Sequence, residues 1–173
     1  MTNGRQPLSS RPRGTARGGV TDDELRAAWA RWLGALRNRG CDPAPVLRPG
    51  AAPSTLAVAE QAVGALPEPV RALYALNDGQ EDAAGPLVFP AHAFCSLDRG
   101  TRAARGDDPG LWPLAEDAVG HHLLVERETG RVVVASGSGY RELAPDLVAY
   151  LGLLADTELD LPDAGSWDAP GLR

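Results

Sequence analysis

The sequence has no lysine and no isoleucine, and in 173 residues it carries only two cysteines, three histidines and one methionine. Each scarcity excludes something. Cys41 and Cys95 cannot make a disulfide framework, and they lack the paired spacing of a metal knuckle. No apolar run approaches the roughly eighteen residues that a membrane helix needs. The first nineteen residues hold arginines but no apolar stretch behind them, so no secretory signal is expected. The expectation is a cytoplasmic protein with free thiols and no membrane association. Because arginine supplies every one of the seventeen basic side chains, the lysine deficit reads as GC-rich coding of the actinobacterial kind, not as chemistry.

Charge is what the chain has, and it is unevenly spread. The net charge of −6 combines two opposed parts. Residues 1–19 hold four arginines and no acid. Residues 20–173 hold thirteen arginines against twenty-three acids, a net of −10. A body this acidic argues against a nucleic-acid surface and for cationic partners, with plain solubility as the bland alternative.

The organisation follows from periodicity. Residues 1–20 are too polar and too rich in Arg, Gly and Pro to pack, and are expected to be a disordered tail. Thr21-Asp22-Asp23-Glu24 fits a capping box. Leu25, Ala28, Trp29, Trp32, Leu33 and Leu36 then recur at helical spacing until Gly40, predicting an amphipathic helix over 22–39 with both tryptophans in the core. A second helix, capped by Ser54, is expected to run to about Ala65. A third opens at Leu66-Pro67-Glu68-Pro69 and ends at Asn77-Asp78-Gly79. From Gly85 the period changes: Leu87-Val88-Phe89 predicts a short strand, 98–110 a polar loop, and Trp112-Pro113-Leu114-Ala115 an extended segment with Pro113 suited to an edge. Segments 121–126 and 131–136 flank Glu128-Thr129-Gly130 as a hairpin, Val132-Val133-Val134 predicts a central strand, and 140–143 a last one. Leu147, Val148, Leu151 and Leu154 mark a closing helix after Pro145. Residues 157–173 are expected to form an acidic Pro/Gly-rich tail, in which Trp167 is the only aromatic group. Helices, then an antiparallel sheet, then a helix give an α+β fold.

Chemistry is sparse. His121 and His122 are adjacent on a strand and point to opposite faces, so they cannot share an ion. His92 and Cys95 make half a site with no second ligand pair. Ser136-Gly137-Ser138-Gly139 lacks the glycine frame of a nucleophile elbow and the lysine of a phosphate loop. Asp107-Asp108 and Arg105-Gly106-Asp107 are short matches in a polar loop. No catalytic residue, metal ligand or cofactor site is expected. Carboxylates cluster instead, after the third helix and after the tryptophan strand, as a solvated acidic rim.

One ordered series carries a resemblance. It comprises Trp29-Ala30-Arg31-Trp32-Leu33, Glu60 and Gly64, Leu66-Pro67 with Val70-Arg71-Ala72-Leu73-Tyr74, and Asn77-Asp78-Gly79-Gln80. Trp112-Pro113-Leu114-Ala115, Asp117, Gly120-His121-His122-Leu123-Leu124-Val125, Thr129-Gly130-Arg131-Val132, and Ala144-Pro145-Asp146-Leu147 with Tyr150-Leu151 complete it. Together these resemble the Smi/Knr-like domain of the SUKH superfamily over residues 21–156. Where that family often has an aspartate after the hairpin's apolar run, this chain has Glu126 and Arg127. The resemblance implies binding without catalysis. Bacterial members are commonly immunity proteins that neutralise a partner toxin, often a nuclease, and fungal members are adaptors in cell-wall synthesis. The expected partner is therefore a basic protein toxin, and the expected contact face is Asp78, Gln80, Glu81, Asp82, Glu116 and Asp117. The alternative is a regulatory adaptor that uses an apolar patch or the Trp167 tail. The sequence is silent on oligomeric state.

Overall fold

In the computed structural model, residues 20–81, 87–106, 108–136 and 139–157 are described. The expected tails apart from Val20 and Thr157 lie outside that set, as do Asp82, Asp107, Ser138 and Trp167.

Three helices open the fold: α1 (Asp22–Asn38), α2 (Pro53–Val63) and α3 (Glu68–Leu76). Thr21 caps α1 reciprocally with Glu24: its hydroxyl accepts from the Glu24 amide at 3.3 Å, and its amide donates to the Glu24 carboxylate at 2.9 Å. Along α1, Leu25, Trp29, Trp32, Leu33 and Leu36 are buried. Burying each tryptophan contributes roughly 2–3 kcal/mol. The indole N–H groups also act as pins. Trp32 donates to the Val88 carbonyl and Trp29 to Asn77 Oδ1, both at 2.9 Å, so one helix face fixes two loops. The expected Ser54 cap is a correction: the second helix starts on Pro53, two residues earlier than that cap would place it, and has no side-chain cap. A proline tolerates that first position because its missing N–H is unpaired there in any case.

The sheet is five antiparallel strands in sequence order: β1 (Ala93–Phe94), β2 (Leu111–Glu116), β3 (His122–Glu126), β4 (Val132–Ser136) and β5 (Gly139–Ala144). β4 lies between β3 and β5, as its β-branched run predicts. The segment 87–89 is not a strand of the sheet; it makes only a bridge from Phe89 to His92. The larger correction is at 98–110. Residues 97–104 form an eight-residue helix, α4 (Leu97–Ala104), capped by Ser96, whose hydroxyl accepts from the Arg99 amide. This helix packs on β2: a Cβ on Gly100 would lie 2.8 Å from the Trp112 ring and 3.1 Å from the Pro113 carbonyl. β1 reaches only Ala115 and Glu116, so Pro113 sits where β2 has no second strand partner. A missing N–H costs nothing there.

The closing helix, α5 (Leu147–Asp156), is capped by Asp146 and packs against α1. Arg39 at the end of α1 donates to the Leu154, Ala155 and Thr157 carbonyls, and Arg31 pairs with Asp156. Trp32, Leu73, Tyr74, Trp112, Val125 and Leu151 belong to one core between the helices and one sheet face. Leu111, Leu124 and Val133 form a second, small cluster on the other face. The chain is therefore α+β, with N-terminal helices packed on an antiparallel sheet and a closing C-terminal helix. No described helix is long and apolar enough to cross a membrane.

Candidate functional site: a polar cleft at the exit of α3

The site is built around the turn that ends α3. Asn77 caps the helix, and Gly79 takes a left-handed conformation (φ +73°) that a side chain would strain. That turn is laced to two other segments. The Asp78 amide donates to the Pro49 carbonyl and the Arg48 amide to the Gly79 carbonyl; Asn77 Nδ2 reaches the Arg48 carbonyl at 2.9 Å. On the other side the Gln80 amide donates to the Phe94 carbonyl. The turn thus joins the 41–53 loop to β1 and α4.

Asp78 points its carboxylate at the start of α4, where Oδ1 accepts from the Leu97 amide at 2.7 Å. An acid at a helix N-terminus satisfies an orphan amide and complements the dipole. From α4, Arg99 reaches Glu116 (Nε to Oε2, 2.8 Å), and Arg102 reaches back one turn to Asp98 at 2.6 Å. His122, the β3 partner of Glu116, brings Nε2 to 3.7 Å from the same Glu116 oxygen. Arg48, Asp78, Arg99, Arg102, Glu116 and His122 line an open cleft of about 710 Å³, with Ser96, Asp98 and Ala103 completing its wall.

The six expected contact residues divide. Asp78 and Glu116 meet in this cleft although 38 positions separate them. Glu81 follows directly on the turn, exposed, with its amide bonded to the Val46 carbonyl. Asp117 follows Glu116 and organises the β2–β3 turn, accepting from the Val119 and His121 amides and lying 3.1 Å from His121 Nδ1. Gln80 is a correction: it is 4 % exposed, and its Oε1 accepts from the Val88 and Phe94 amides at 3.1 and 2.9 Å. Those two buried amides need an acceptor, and an amide side chain at this position supplies it. Asp82 lies outside the described residues. The expected acidic rim is also less negative than composition suggests, because arginines of α4 pair with two of the cleft's three carboxylates.

Sequence reasoning missed Arg48, Arg99 and Arg102. The signal for the last two was present in Asp98 and Arg102, which are spaced four apart behind a capping serine. Arg48 had no local signal, since only the fold carries the 41–53 loop to the α3 exit.

Burial raises the Asp117 carboxyl, but the His121 and Val119 amides and the His121 ring outweigh it and leave the pKa below the ordinary value. The folded form therefore holds this proton more weakly than the unfolded chain. Its contribution is present above about pH 4, the unfolded carboxyl range, and is lost as pH falls through the lower folded value. Asp117→Asn is expected to flatten the acid-side decline in melting temperature below about pH 5 relative to the wild type. Equal slopes would contradict this account of the turn.

The other sequence candidates stay apart from this cleft. Cys95 is buried, and His92 Nδ1 donates to the Pro90 carbonyl at 2.8 Å. Among the described residues, no three His, Cys, Asp or Glu side chains converge closely enough to hold a metal ion. Comparison with protein-family models finds none that matches the chain, and comparison with curated proteins finds no match either.

Proposed function

We propose that this chain is a Smi/Knr-like, SUKH-type module that works by binding a protein without catalysis, and that its role is immunity: it neutralises a basic, nuclease-type toxin. The observation that carries the reading is the convergence of Asp78 and Glu116 in one open polar cleft, with Glu81 and Asp117 as the chain neighbours of its walls. A −10 body adds long-range attraction for a cationic partner whatever the local pairing. Nucleic-acid-cleaving proteins present cationic surfaces to their substrate, and an acidic protein can occlude such a surface with fast, steered association. On this reading the protein acts in the cytoplasm, takes no cofactor and binds no nucleic acid.

The pairs in the cleft suit exchange. An exposed ion pair such as Arg102–Asp98 is worth roughly 0–1 kcal/mol, so a partner's arginine or lysine can replace one member at little cost. The triple variant Glu81→Gln, Glu116→Gln, Asp117→Asn is expected to slow association about tenfold at low salt and to flatten its salt dependence, with dissociation changed less. Stopped-flow mixing at two ionic strengths reads both. Unchanged association would remove this face from the interface.

The partner itself comes from capture on the full chain in lysate of the source organism at low and moderate salt. A stoichiometric basic protein, toxic when expressed alone and tolerated with this chain, is the expected result. The second reading, a regulatory adaptor, draws on the other sheet face, where the Leu111, Leu124 and Val133 cluster adjoins a half-exposed Tyr140. Capture of envelope-synthesis or signalling proteins, insensitive to salt, would favour it.

A further inference from the structure

We propose that the same cleft holds a site for an oxyanion, a phosphate or a carboxylate group, centred on the Arg48 guanidinium. The inference concerns a different ligand chemistry from the proposed cationic partner and stands without it.

The carboxylates lining the cleft are already engaged. Asp98 is paired with Arg102, Glu116 with Arg99, and Asp78 is held by the Leu97 amide at the start of α4. Arg48 differs. Its side chain lines the cleft, yet it makes no ion pair with any described residue. Arg48 is thus the one arginine of the wall without an ion pair among the described residues, as Asp78, held only by a neutral amide, is the one carboxylate without one.

Its position is also fixed. The Arg48 amide is bonded to Gly79 and its carbonyl to Asn77, and Asn77 is held in turn by the Trp29 indole. The backbone that carries this side chain is thus tied through α3 to the core of α1, so an arriving anion has the side chain to order but not the loop. Guanidinium offers a planar fork that matches two oxygens of a phosphate or carboxylate. Arg99 and Arg102 stand on one face of α4, three residues apart, and line the same space. Among the described residues Arg102 is held only by an exposed pair one turn back, weak enough to open toward a second oxygen.

The test uses the full chain and two probes, inorganic phosphate and succinate, titrated at constant ionic strength against chloride, with binding read by amide NMR shifts. The expected result is saturable binding with shifts at Arg48, Gly79, Leu97 and Arg99. Arg48→Gln should weaken it at least tenfold while leaving the thermal melt unchanged, since the substitution keeps both backbone bonds. Arg141→Gln is the matched control: Arg141 is exposed on β5, outside the cleft, and also forms no ion pair with a described residue. That variant should bind like the wild type. Tighter phosphate binding would assign a phosphoryl group, and tighter succinate binding a carboxylate; either supports the site. Shifts that rise linearly without saturation, or equal losses in Arg48→Gln and Arg141→Gln, would overturn it as diffuse surface charge.

Discussion

Gly79→Ala is expected to cost about 3 kcal/mol or more and to lower the melting temperature by roughly 10 °C. Two penalties combine. The residue sits at φ +73°, where an L side chain is strained by about 1–3 kcal/mol. In addition, a Cβ there would lie 2.4 Å from the Ser96 amide nitrogen and 2.6 Å from the Cys95 carbonyl carbon and oxygen. Both neighbours are backbone, so neither can swing aside, and moving them would shift the start of α4. Gly130 isolates the first penalty, because it has φ +76° in the β3–β4 turn with open space around its Cα. Gly130→Ala should therefore cost only about 1 kcal/mol. A chemical-denaturation series on the two variants reads the difference, and equal losses would mean that the close approach of the α3 exit to β1 and α4 is not a structural constraint.

The second large effect is expected at Gln80. Gln80→Leu keeps the volume nearly constant but removes the acceptor shared by the Val88 and Phe94 amides. Each buried donor left unpaired costs about 1–3 kcal/mol, so a loss of about 2–4 kcal/mol is expected. Its neighbour provides the contrast. Glu81→Gln changes an exposed side chain and should stay within about 0.5 kcal/mol of the wild type. Urea unfolding of both variants tests the assignment, and a wild-type midpoint for Gln80→Leu would show that those amides find other partners. The comparison separates a residue that holds the site together from one that is free to touch a partner.

These two residues also show where the sequence is informative. Asn77-Asp78-Gly79 announced a sharp helix exit because its chemistry is local, and the turn is where it should be. The same holds for the Thr21 capping box, the Glu128-Thr129-Gly130 hairpin and the β4 valines. Gln80 read as one more polar residue in a polar loop, since its partners lie 8 and 14 positions away and leave no periodic trace. α4 was hidden for a related reason. Asp98, Arg99, Arg102 and Arg105 give the segment loop-like polarity, while Leu97, Gly100 and Thr101 supply a narrow buried face whose central residue is a glycine. A helix that packs through a glycine shows little apolar pattern. The cleft combines both kinds of residue, so two of its three acids, Asp78 and Glu116, were legible and Asp98 and its arginines were not. The charge arithmetic holds for the body as a whole and is too simple for this wall, where arginines of α4 pair with two of the three carboxylates.

The central claim is that the chain neutralises its partner by occupying it. The most direct measurement is a titration of the isolated partner's toxic activity with increasing amounts of this protein, read immediately after mixing and again after an hour. Stoichiometric binding predicts a linear fall to zero at a fixed molar ratio, identical at both times. Inactivation that needs only a small fraction of an equivalent and deepens with time would contradict it, because only turnover on the partner produces that curve.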